Sequence, residues 1–250
     1  MPCMGGTVKD GEAGDARRDR WSAHRAQRRR EFVDAALRVL QSHGPDLLMD
    51  AVAAEAGVTK PVLYRYFSDK AELVEALAER GSEMLAEHLL PAINAGTPAL
   101  ESVRDGVGAY FAVIDEYPNL YWLLARHVSI EGGHLSGPVQ RNKESIASAL
   151  TAVFSDYLWA YGLDSGGAEA WAYGITGLVQ STGEWWLQRR SMSRAHVVDL
   201  VTQLIWAALS GMLRDAGITV DPDKPLPGMQ PSLMRLFGGP AEQAEQGAPE

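Results

Sequence analysis

The sequence contains a single cysteine, Cys3, in a chain of 250 residues. A disulfide needs two cysteines and a thiolate metal site takes several, so neither forms within this chain. Stability therefore has to come from a packed core rather than from covalent or metal cross-links. An apolar fraction of 46% in a chain of this length is ample for such a core.

Long apolar runs are also missing. No uninterrupted apolar stretch approaches the ~20 residues needed to cross a bilayer. The N-terminus is polar and rich in glycine, unlike a secretory signal, which is charged and then apolar. These features predict a cytoplasmic protein that makes no contact with a membrane.

The chain lacks the short motifs of common catalytic sites, namely GxxxxGKS/T for phosphate binding and GxSxG for a nucleophilic serine. His127, Glu131 and His134 have the spacing of metal ligands on one helix face. However, Gly132-Gly133 interrupts such a helix before His134, which favours exposed or hydrogen-bonded side chains near a loop. We therefore expect no enzyme activity, no metal site and no cofactor.

Negative charge dominates, with a formal net charge of −9, but it is distributed unevenly. The segment 17–30 contains seven arginines and one acid, Asp19. The residues after position 30 include 28 acids and 15 Lys or Arg, a formal charge of −13. A basic segment on an acidic protein indicates local contact with phosphates. A solvated charge run is the alternative, and the motif that follows the segment favours phosphate contact.

A helix-turn-helix pattern occupies residues 51–70, which read AVAAEAGVTKPVLYRYFSDK. Gly57 provides the freedom to leave the first helix, and Thr59 is placed to cap the second helix with its hydroxyl. Val58, Leu63 and Phe67 are predicted to face inward. The predicted outward face has no acid and consists of Lys60, Val62, Tyr64, Arg65 and Tyr66. Such a face suits DNA phosphates and makes this helix the candidate reader of a major groove.

The segment GVTKPVLYRYFSDKAEL is similar to the DNA-binding signature of the tetracycline-repressor (TetR) family of bacterial transcription regulators. The resemblance is specific over residues 25–73. It implies a three-helix DNA-binding head, followed by a helical body that binds a small molecule and dimerises. By the same resemblance, phosphate contacts are expected of Thr59, Tyr64 and Lys70, and base-edge contacts of Lys60, Val62 and Tyr66. Packing within the head is the alternative for the two tyrosines.

Two features beside the motif extend this pattern or depart from it. The arginines ahead of the first helix, including Arg25, are candidates for contact with a neighbouring minor groove. Leu48 stands where the family usually has a Thr or Ser that caps the second helix. Asp50 compensates in part through its charge near the N-terminus of that helix. The weaker cap predicts a more mobile second helix.

Helical periodicity continues beyond the motif, and no segment shows strand alternation joined by hairpin turns. The predicted fold is therefore all-α. We expect a disordered basic leader at 1–20, a helix-turn-helix domain at 21–68, a helical effector-binding and dimerisation domain at 69–217, and an extended or disordered tail at 218–250.

Aromatic and aliphatic residues recur on four predicted helices of the body, and ligand pockets are commonly concave, apolar and aromatic. Together with the resemblance, these residues predict a site for a small hydrophobic effector; ordinary core packing is the alternative. The predicted lining residues are Tyr110, Phe111, Ile114, Trp122, Phe154, Trp171, Ile175, Val179 and Trp186, with Arg126, Gln180 and Glu184 as polar anchors. The segment YFAVIDEYPNLYWLL resembles actinobacterial family members that respond to acyl chains, which implies a fatty acid or acyl-CoA, while other hydrophobic drugs or metabolites remain open.

The last two long helices, at about 165–190 and 193–216, favour a homodimer. The first contains Gly174, Gly177 and Gly183, which imply close packing, a kink or space for a ligand. The second is apolar over more than one face, and full burial within the monomer is the alternative. By resemblance, the dimer would bind double-stranded DNA at a palindromic operator as a repressor released by its effector. The rival hypothesis is a helical hydrophobic-ligand-binding protein or enzyme without operator binding.

Overall fold

The computed structural model describes residues 9–92, 97–127, 129–131 and 134–225. The chain forms two compact units, Met1–Leu77 and Ala78–Glu250. The boundary therefore lies inside a helix rather than at 68/69, because Leu73 and Leu77 at the start of that helix are fully buried with the N-terminal unit. The described part of the chain confirms the all-α prediction, apart from one short hairpin.

The N-terminal unit consists of α1 (Lys9–His43), α2 (Met49–Glu55), α3 (Lys60–Tyr64) and the start of α4 (Lys70–Ala92). The prediction of a disordered leader is wrong for residues 9–20, which are the first turns of α1. Their Ala, Arg, Glu and Lys residues are good helix formers, and this propensity outweighs the two glycines in the segment. Residues 1–8 lie outside the described part of the chain. The largest fully buried side chains of this unit are Phe32, Leu40, Leu47, Val52, Leu63, Phe67, Leu73, Val74 and Leu77.

The turns of the N-terminal unit depend on glycine and on backbone hydrogen bonds. Gly57, between α2 and α3, has a φ of 66° that side-chain-bearing residues rarely adopt. Leu48 is the N-cap of α2, as the sequence indicated, and it provides no side-chain hydrogen bond. Thr59 is the N-cap of α3, but its hydroxyl does not cap the helix, so that part of the prediction is wrong. Instead, the Thr59 carbonyl accepts from the backbone N–H of Val62 at 2.9 Å.

In its described residues, the C-terminal unit consists of the rest of α4 and the following elements: α5 (Ala99–Glu116), α6 (Pro118–Arg126), β1 (Ser129–Glu131), β2 (His134–Ser136), α7 (Pro138–Ala160), α8 (Ala168–Arg189) and α9 (Arg194–Asp215). Pairs α7–α8 and α5–α9 pack most extensively, and α5 also contacts α8. The short antiparallel hairpin β1–β2 corrects the expectation that the body contains no strands.

The start of the predicted tail is held against α5. The backbone N–H groups of Ala99 and Leu100 donate to the carbonyls of Lys224 and Pro222, at 2.9 and 3.2 Å. These bonds satisfy two donors of the first turn of α5, which has no side-chain cap. Residues 218–225 are therefore non-helical but anchored, and residues 226–250 lie outside the described part of the chain.

Helix α9 is more apolar than the sequence analysis, which found no stretch able to span a bilayer, led us to expect. By length and composition it could cross a membrane, with a mean hydropathy of 1.4 over its best window. A single such helix says little, because core helices of soluble proteins meet the same criteria. Only 28% of that window is buried within the protomer. The helix therefore presents an apolar face that this protomer leaves uncovered.

Candidate DNA-binding surface and ligand cavity

The exposed face of α3 is formed by residues whose neighbours in sequence are buried. Leu63 and Phe67 are fully buried and fix the helix to the core. Thr59, Lys60 and Tyr64 are exposed as a result, and the Tyr64 ring is 41% exposed. Lys70, at the first position of α4, is exposed as well, and Val62 is half-buried. The exposed residues present hydroxyl, ammonium and phenol groups of the kinds that bind phosphates and base edges.

An acidic side chain lies beside the exposed face of α3, although the sequence-based prediction had none there. Asp50 on α2 lies 3.0 Å from the ammonium of Lys60. The hydrogen bond and the charge of Asp50 raise the pKa of Lys60 above its ordinary value. The prediction was wrong because it considered the recognition helix alone, and the turn at Gly57 brings the start of α2 beside the start of α3.

Tyr66 is half-buried and packs into the head. Its ring meets that of Phe32 edge-on, with 5.0 Å between the ring centroids. The guanidinium of Arg25 lies 5.9 Å from the centroid of the Tyr66 ring and donates to the carbonyl of Arg65 at 3.4 Å. Packing therefore accounts for part of the role of Tyr66, and Arg25 lies beside the end of the recognition helix.

A cluster around Arg29, which the sequence did not identify, holds the end of α3 in place. The Arg29 guanidinium donates to the carbonyl of Tyr66 at 3.1 Å and to the carboxylate of Glu72 at 2.6 Å. The backbone N–H of Ser68 donates to the other oxygen of Glu72 at 2.6 Å. The Ser68 N–H and the Arg29 guanidinium lower the pKa of Glu72 to about 2. Arg29 also stacks over the Phe67 ring, 4.4 Å from its centroid.

The C-terminal unit contains an apolar cavity of about 200 Å³ between α4, α5, α7, α8 and α9. Tyr110, Ile175 and Val179 line it, as does Gln180, so four of the predicted site residues share one cavity. None of the lining residues on α7 was predicted, because the apolar pattern of that helix resembles ordinary core packing. The other lining residues are Leu85, Val103, Gly106, Val107, Asn142, Lys143, Ile146, Ala149, Leu150, Thr176 and Ile205.

The structure places the remaining predicted residues outside this cavity, which corrects those assignments. Phe111, Ile114 and Trp186 are buried in the core where α5, α8 and α9 meet. Phe154 and Trp171 line a separate cavity of about 50 Å³. Trp122 packs against the core and meets the Tyr121 ring edge-on, while Arg126 is exposed. Helical spacing puts the aromatic and aliphatic residues of this set on inward faces but does not distinguish a filled interior from an empty one.

Two residues that line the cavity, Tyr110 and Thr176, carry a buried hydroxyl oxygen with no hydrogen-bond partner among the described residues. Burial, with smaller effects from Tyr121 and Glu184, raises the pKa of Tyr110 far above its ordinary value. Tyr121 is close enough to interact electrostatically, but no hydrogen bond of ordinary geometry joins the two phenols. Buried hydroxyls normally find partners, so these two oxygens are exceptions, and neither is open to the cavity.

The glycines of α8 have separate roles. A Cβ at Gly183 would lie 2.7 Å from the Tyr110 ring and 2.9 Å from the Ile114 side chain, so α5 and α8 require glycine there. A Cβ at Gly177 would lie 3.8 Å from the ammonium of Lys143, and one at Gly174 would meet nothing within 4 Å. The sequence analysis offered close packing, a kink or free space as reasons for these glycines. Close packing applies at Gly183, and Gly174 and Gly177 have free space beside them.

A three-helix unit whose third helix exposes Lys60 and Tyr64, followed by a helical unit around an apolar cavity, is typical of a DNA-binding regulator of the helix-turn-helix class. Residues 32–77 match the family described as bacterial regulatory proteins, tetR family. Residues 88–218 match the tetracyclin repressor-like C-terminal domain. The chain belongs to the TetR family, and it is a DNA-binding transcriptional regulator.

Known relatives support this assignment. The HTH-type transcriptional regulator Rv0472c of Mycobacterium tuberculosis is 33% identical over 204 residues, covering 81% of this chain and 86% of the relative. The HTH-type transcriptional activator FasR of Mycolicibacterium smegmatis is 28% identical over 188 residues, covering 74% and 84%. A tetR-family regulator from Streptomyces coelicolor has the same fold, with a TM-score of 0.59, 24% identity and coverage of 87% and 91%.

A structure of the regulator FadR from Bacillus subtilis, in complex with stearoyl-CoA, is also similar. Its TM-score is 0.56, its identity is 17%, and the match covers 70% of this chain and 96% of that one. At this identity the likeness shows a shared fold. The ligand in its description belongs to that protein.

Proposed function

We propose that the protein is a cytoplasmic, ligand-responsive repressor that binds a palindromic operator as a homodimer and is released by a hydrophobic small molecule. The observation that carries the DNA-binding part is the exposed face of α3. Lys60 and Tyr64 project from a short helix whose opposite side is fully buried. Lys60 and Tyr66 are proposed to face base edges together with Val62, whereas Thr59, Tyr64 and Lys70 contact phosphates.

The proposed dimer uses the uncovered faces of α8 and α9. Leu204 is 59% exposed, and its neighbours Leu200 and Met212 on α9 are exposed too. Tyr173 and Trp185 extend an exposed aromatic surface along α8. Large exposed apolar surfaces of this kind mark protein contacts. In a two-fold dimer, two recognition helices are set about one DNA turn, ~34–36 Å, apart.

The proposed response to ligand begins at α4. This helix belongs to the N-terminal unit up to Leu77, and its Leu85 lines the cavity of the C-terminal unit. A ligand that binds better when α4 has shifted lowers the affinity for DNA, and DNA lowers the affinity for the ligand by the same factor. A fatty acid or acyl-CoA suits the apolar lining. Of two regulators with similar folds, one is described as a fatty acid metabolism regulator and the other is in complex with stearoyl-CoA.

A DNA-binding assay with the intergenic DNA upstream of the protein's own gene tests this function. We expect tight binding at low salt that survives competitor DNA and weakens steeply as salt rises. Lys60→Ala and Tyr64→Ala are expected to abolish specific binding. Lys224→Ala and Tyr161→Ala are matched controls, because Lys224 is exposed and Tyr161 is 44% exposed, close to Tyr64, in the other unit.

The controls are expected to bind as the unsubstituted protein does, and circular dichroism checks that all four variants fold. Binding that is unchanged by both substitutions in α3 would favour a helical ligand-binding protein without operator recognition.

Transcriptional activation is a second candidate function, because FasR, a relative at 28% identity, is described as an activator. A reporter gene behind the bound promoter separates repression from activation by the sign of the change when the regulator is deleted.

A further inference from the structure

The polar groups of the cavity are concentrated on one side, along α8 and the part of α7 that faces it. Thr176 on α8 is only 7% exposed, and its hydroxyl has no hydrogen-bond partner among the described residues. That oxygen is closed off from the cavity, so a ligand would meet the other polar lining residues of α7 and α8, which are Asn142, Lys143 and Gln180.

Lys143 provides a positive charge at the same place. Its ammonium lies 3.8 Å from the position that a Cβ would take at Gly177, the residue next to Thr176. The absence of a side chain at Gly177 leaves space beside the ammonium. Lys143 lines the cavity, is half-buried, and forms no ion pair within the described residues.

The other described residues that line the cavity include no Asp or Glu to neutralise this charge. Asn142 is neutral, and its side-chain oxygen accepts from the hydroxyl of Ser82 at 3.3 Å. Gln180, one helical turn beyond Thr176, is neutral as well. The apolar remainder is supplied by aliphatic side chains such as Val107, Ile146 and Val179. The cavity therefore combines one unneutralised cation with an apolar interior.

We propose that the cavity binds a small apolar carboxylic acid as the free carboxylate, with its oxygens at the Lys143 ammonium and its apolar part along Val179. The proposal rests on the regulatory function above and names the chemical class of its effector. A CoA thioester supplies only a neutral carbonyl at the acyl end. Its charged CoA part is far larger than a cavity of about 200 Å³ and would remain outside.

Calorimetric titration of the full-length protein with decanoate, methyl decanoate and decanoyl-CoA tests the ligand class. The three probes share one acyl chain and differ in the charge and size of the head. A charge-assisted hydrogen bond is about twice as strong as a neutral one. We therefore expect decanoate to bind at least about tenfold more tightly than its methyl ester, since the ester cannot pair with Lys143. Decanoyl-CoA is expected to bind no better than the ester.

Substitutions on α7 and α8 test the proposed position of the head. Lys143→Met keeps an apolar stem and removes the charge, so it should weaken decanoate binding about tenfold and leave methyl decanoate binding unchanged. Arg189→Met is the matched control, because Arg189 is exposed on the last turn of α8 and does not line the cavity. It should bind both probes as the unsubstituted protein does.

Equal binding of decanoate and its ester, or no binding of octanoate, decanoate or dodecanoate, would overturn the proposal. So would tighter binding of decanoyl-CoA, or an equal effect of Lys143→Met on acid and ester. Operator binding by the same preparations without ligand is measured separately. If DNA binds and the acids do not, the carboxylate proposal fails and the regulator stands. If the acids bind with the expected dependence on Lys143 but no operator is bound, the regulatory function fails.

Discussion

The guanidinium of Arg29 on α1 donates to the carboxylate of Glu72 on α4 at 2.6 Å, and also to the carbonyl of Tyr66 at the end of the recognition segment. Glu72 in turn accepts from the backbone N–H of Ser68. These two residues thus connect α1 and α4 to the segment that follows α3. The position of the exposed face of α3 depends on this pair, although neither residue is itself a predicted DNA contact.

Glu72→Gln is expected to destabilise the head in a pH-dependent way. The pKa of Glu72 is lowered from 4.5 to about 2 in the folded protein, so ionised Glu72 favours folding. This contribution is fully present above about pH 4.5 and is lost as the pH falls towards 2. Thermal unfolding of both proteins between pH 7 and pH 2.5 measures it. The melting temperatures should differ at pH 7 and converge at the acidic end, and a difference that does not depend on pH would contradict the assignment.

Asp50→Asn is expected to strengthen DNA binding. Asp50 pairs with Lys60 at 3.0 Å and brings a negative charge to the surface that we propose faces DNA phosphates. Its removal should tighten binding about two- to tenfold at low salt and steepen the salt dependence. Fluorescence anisotropy at several salt concentrations measures both effects. Asp164→Asn, an exposed acid in the C-terminal unit, serves as control, and weaker binding by Asp50→Asn would instead mean that Asp50 positions Lys60 productively.

Tyr110→Phe is expected to stabilise the ligand-free protein. The Tyr110 hydroxyl is buried without a hydrogen-bond partner, and removal of such a group should raise the free energy of unfolding by about 1 kcal/mol. Chemical denaturation of the two proteins in parallel gives the difference. Tyr64→Phe, at a position that is 41% exposed, should leave stability unchanged. A loss of stability in Tyr110→Phe would show that the hydroxyl has a partner, such as the nearby Tyr121.

Alanine substitutions at two glycines should have opposite effects. At Gly183 the new Cβ would lie 2.7 Å from the Tyr110 ring, and the overpacking should destabilise the protein by about 1–3 kcal/mol. At Gly108, inside α5, the Cβ would meet nothing within 4 Å, so the higher helix propensity of alanine should stabilise the protein by up to about 1 kcal/mol. Denaturant unfolding compares both with the unsubstituted protein. Equal effects would contradict the proposed close contact of α5 and α8.

Leu204→Glu is expected to convert the dimer into monomers. Leu204 lies in the middle of the exposed apolar face of α9, and a buried, unpaired carboxylate there would oppose association. Analytical ultracentrifugation measures the mass, and operator affinity should fall in parallel. Trp159→Glu replaces an exposed aromatic residue on α7 and should remain dimeric. A dimeric Leu204→Glu protein would place the interface elsewhere.

The DNA-binding head was largely predictable because its signals are local. The turn at Gly57, the buried Leu63 and Phe67, and the exposed Lys60 and Tyr64 all follow from the spacing of residues within one short segment. Helical periodicity also gave the fold class, since it depends only on neighbours three and four positions apart. By contrast, the Lys60–Asp50 pair was missed because it joins two helices.

Which residues line the cavity depends on the tertiary structure. Tyr110, Phe111 and Ile114 are all apolar residues on inward faces of α5, yet Tyr110 lines the cavity while the other two fill the core. Periodicity identifies an inward face but gives no information about how completely the opposite helix fills it. Lys143 was missed for a related reason, since a charged residue on a helix is normally solvated and only the packing of α7 against α8 brings it beside Gly177. The sequence by itself thus determined the helices and the family, and long-range packing determined which side chains share the site.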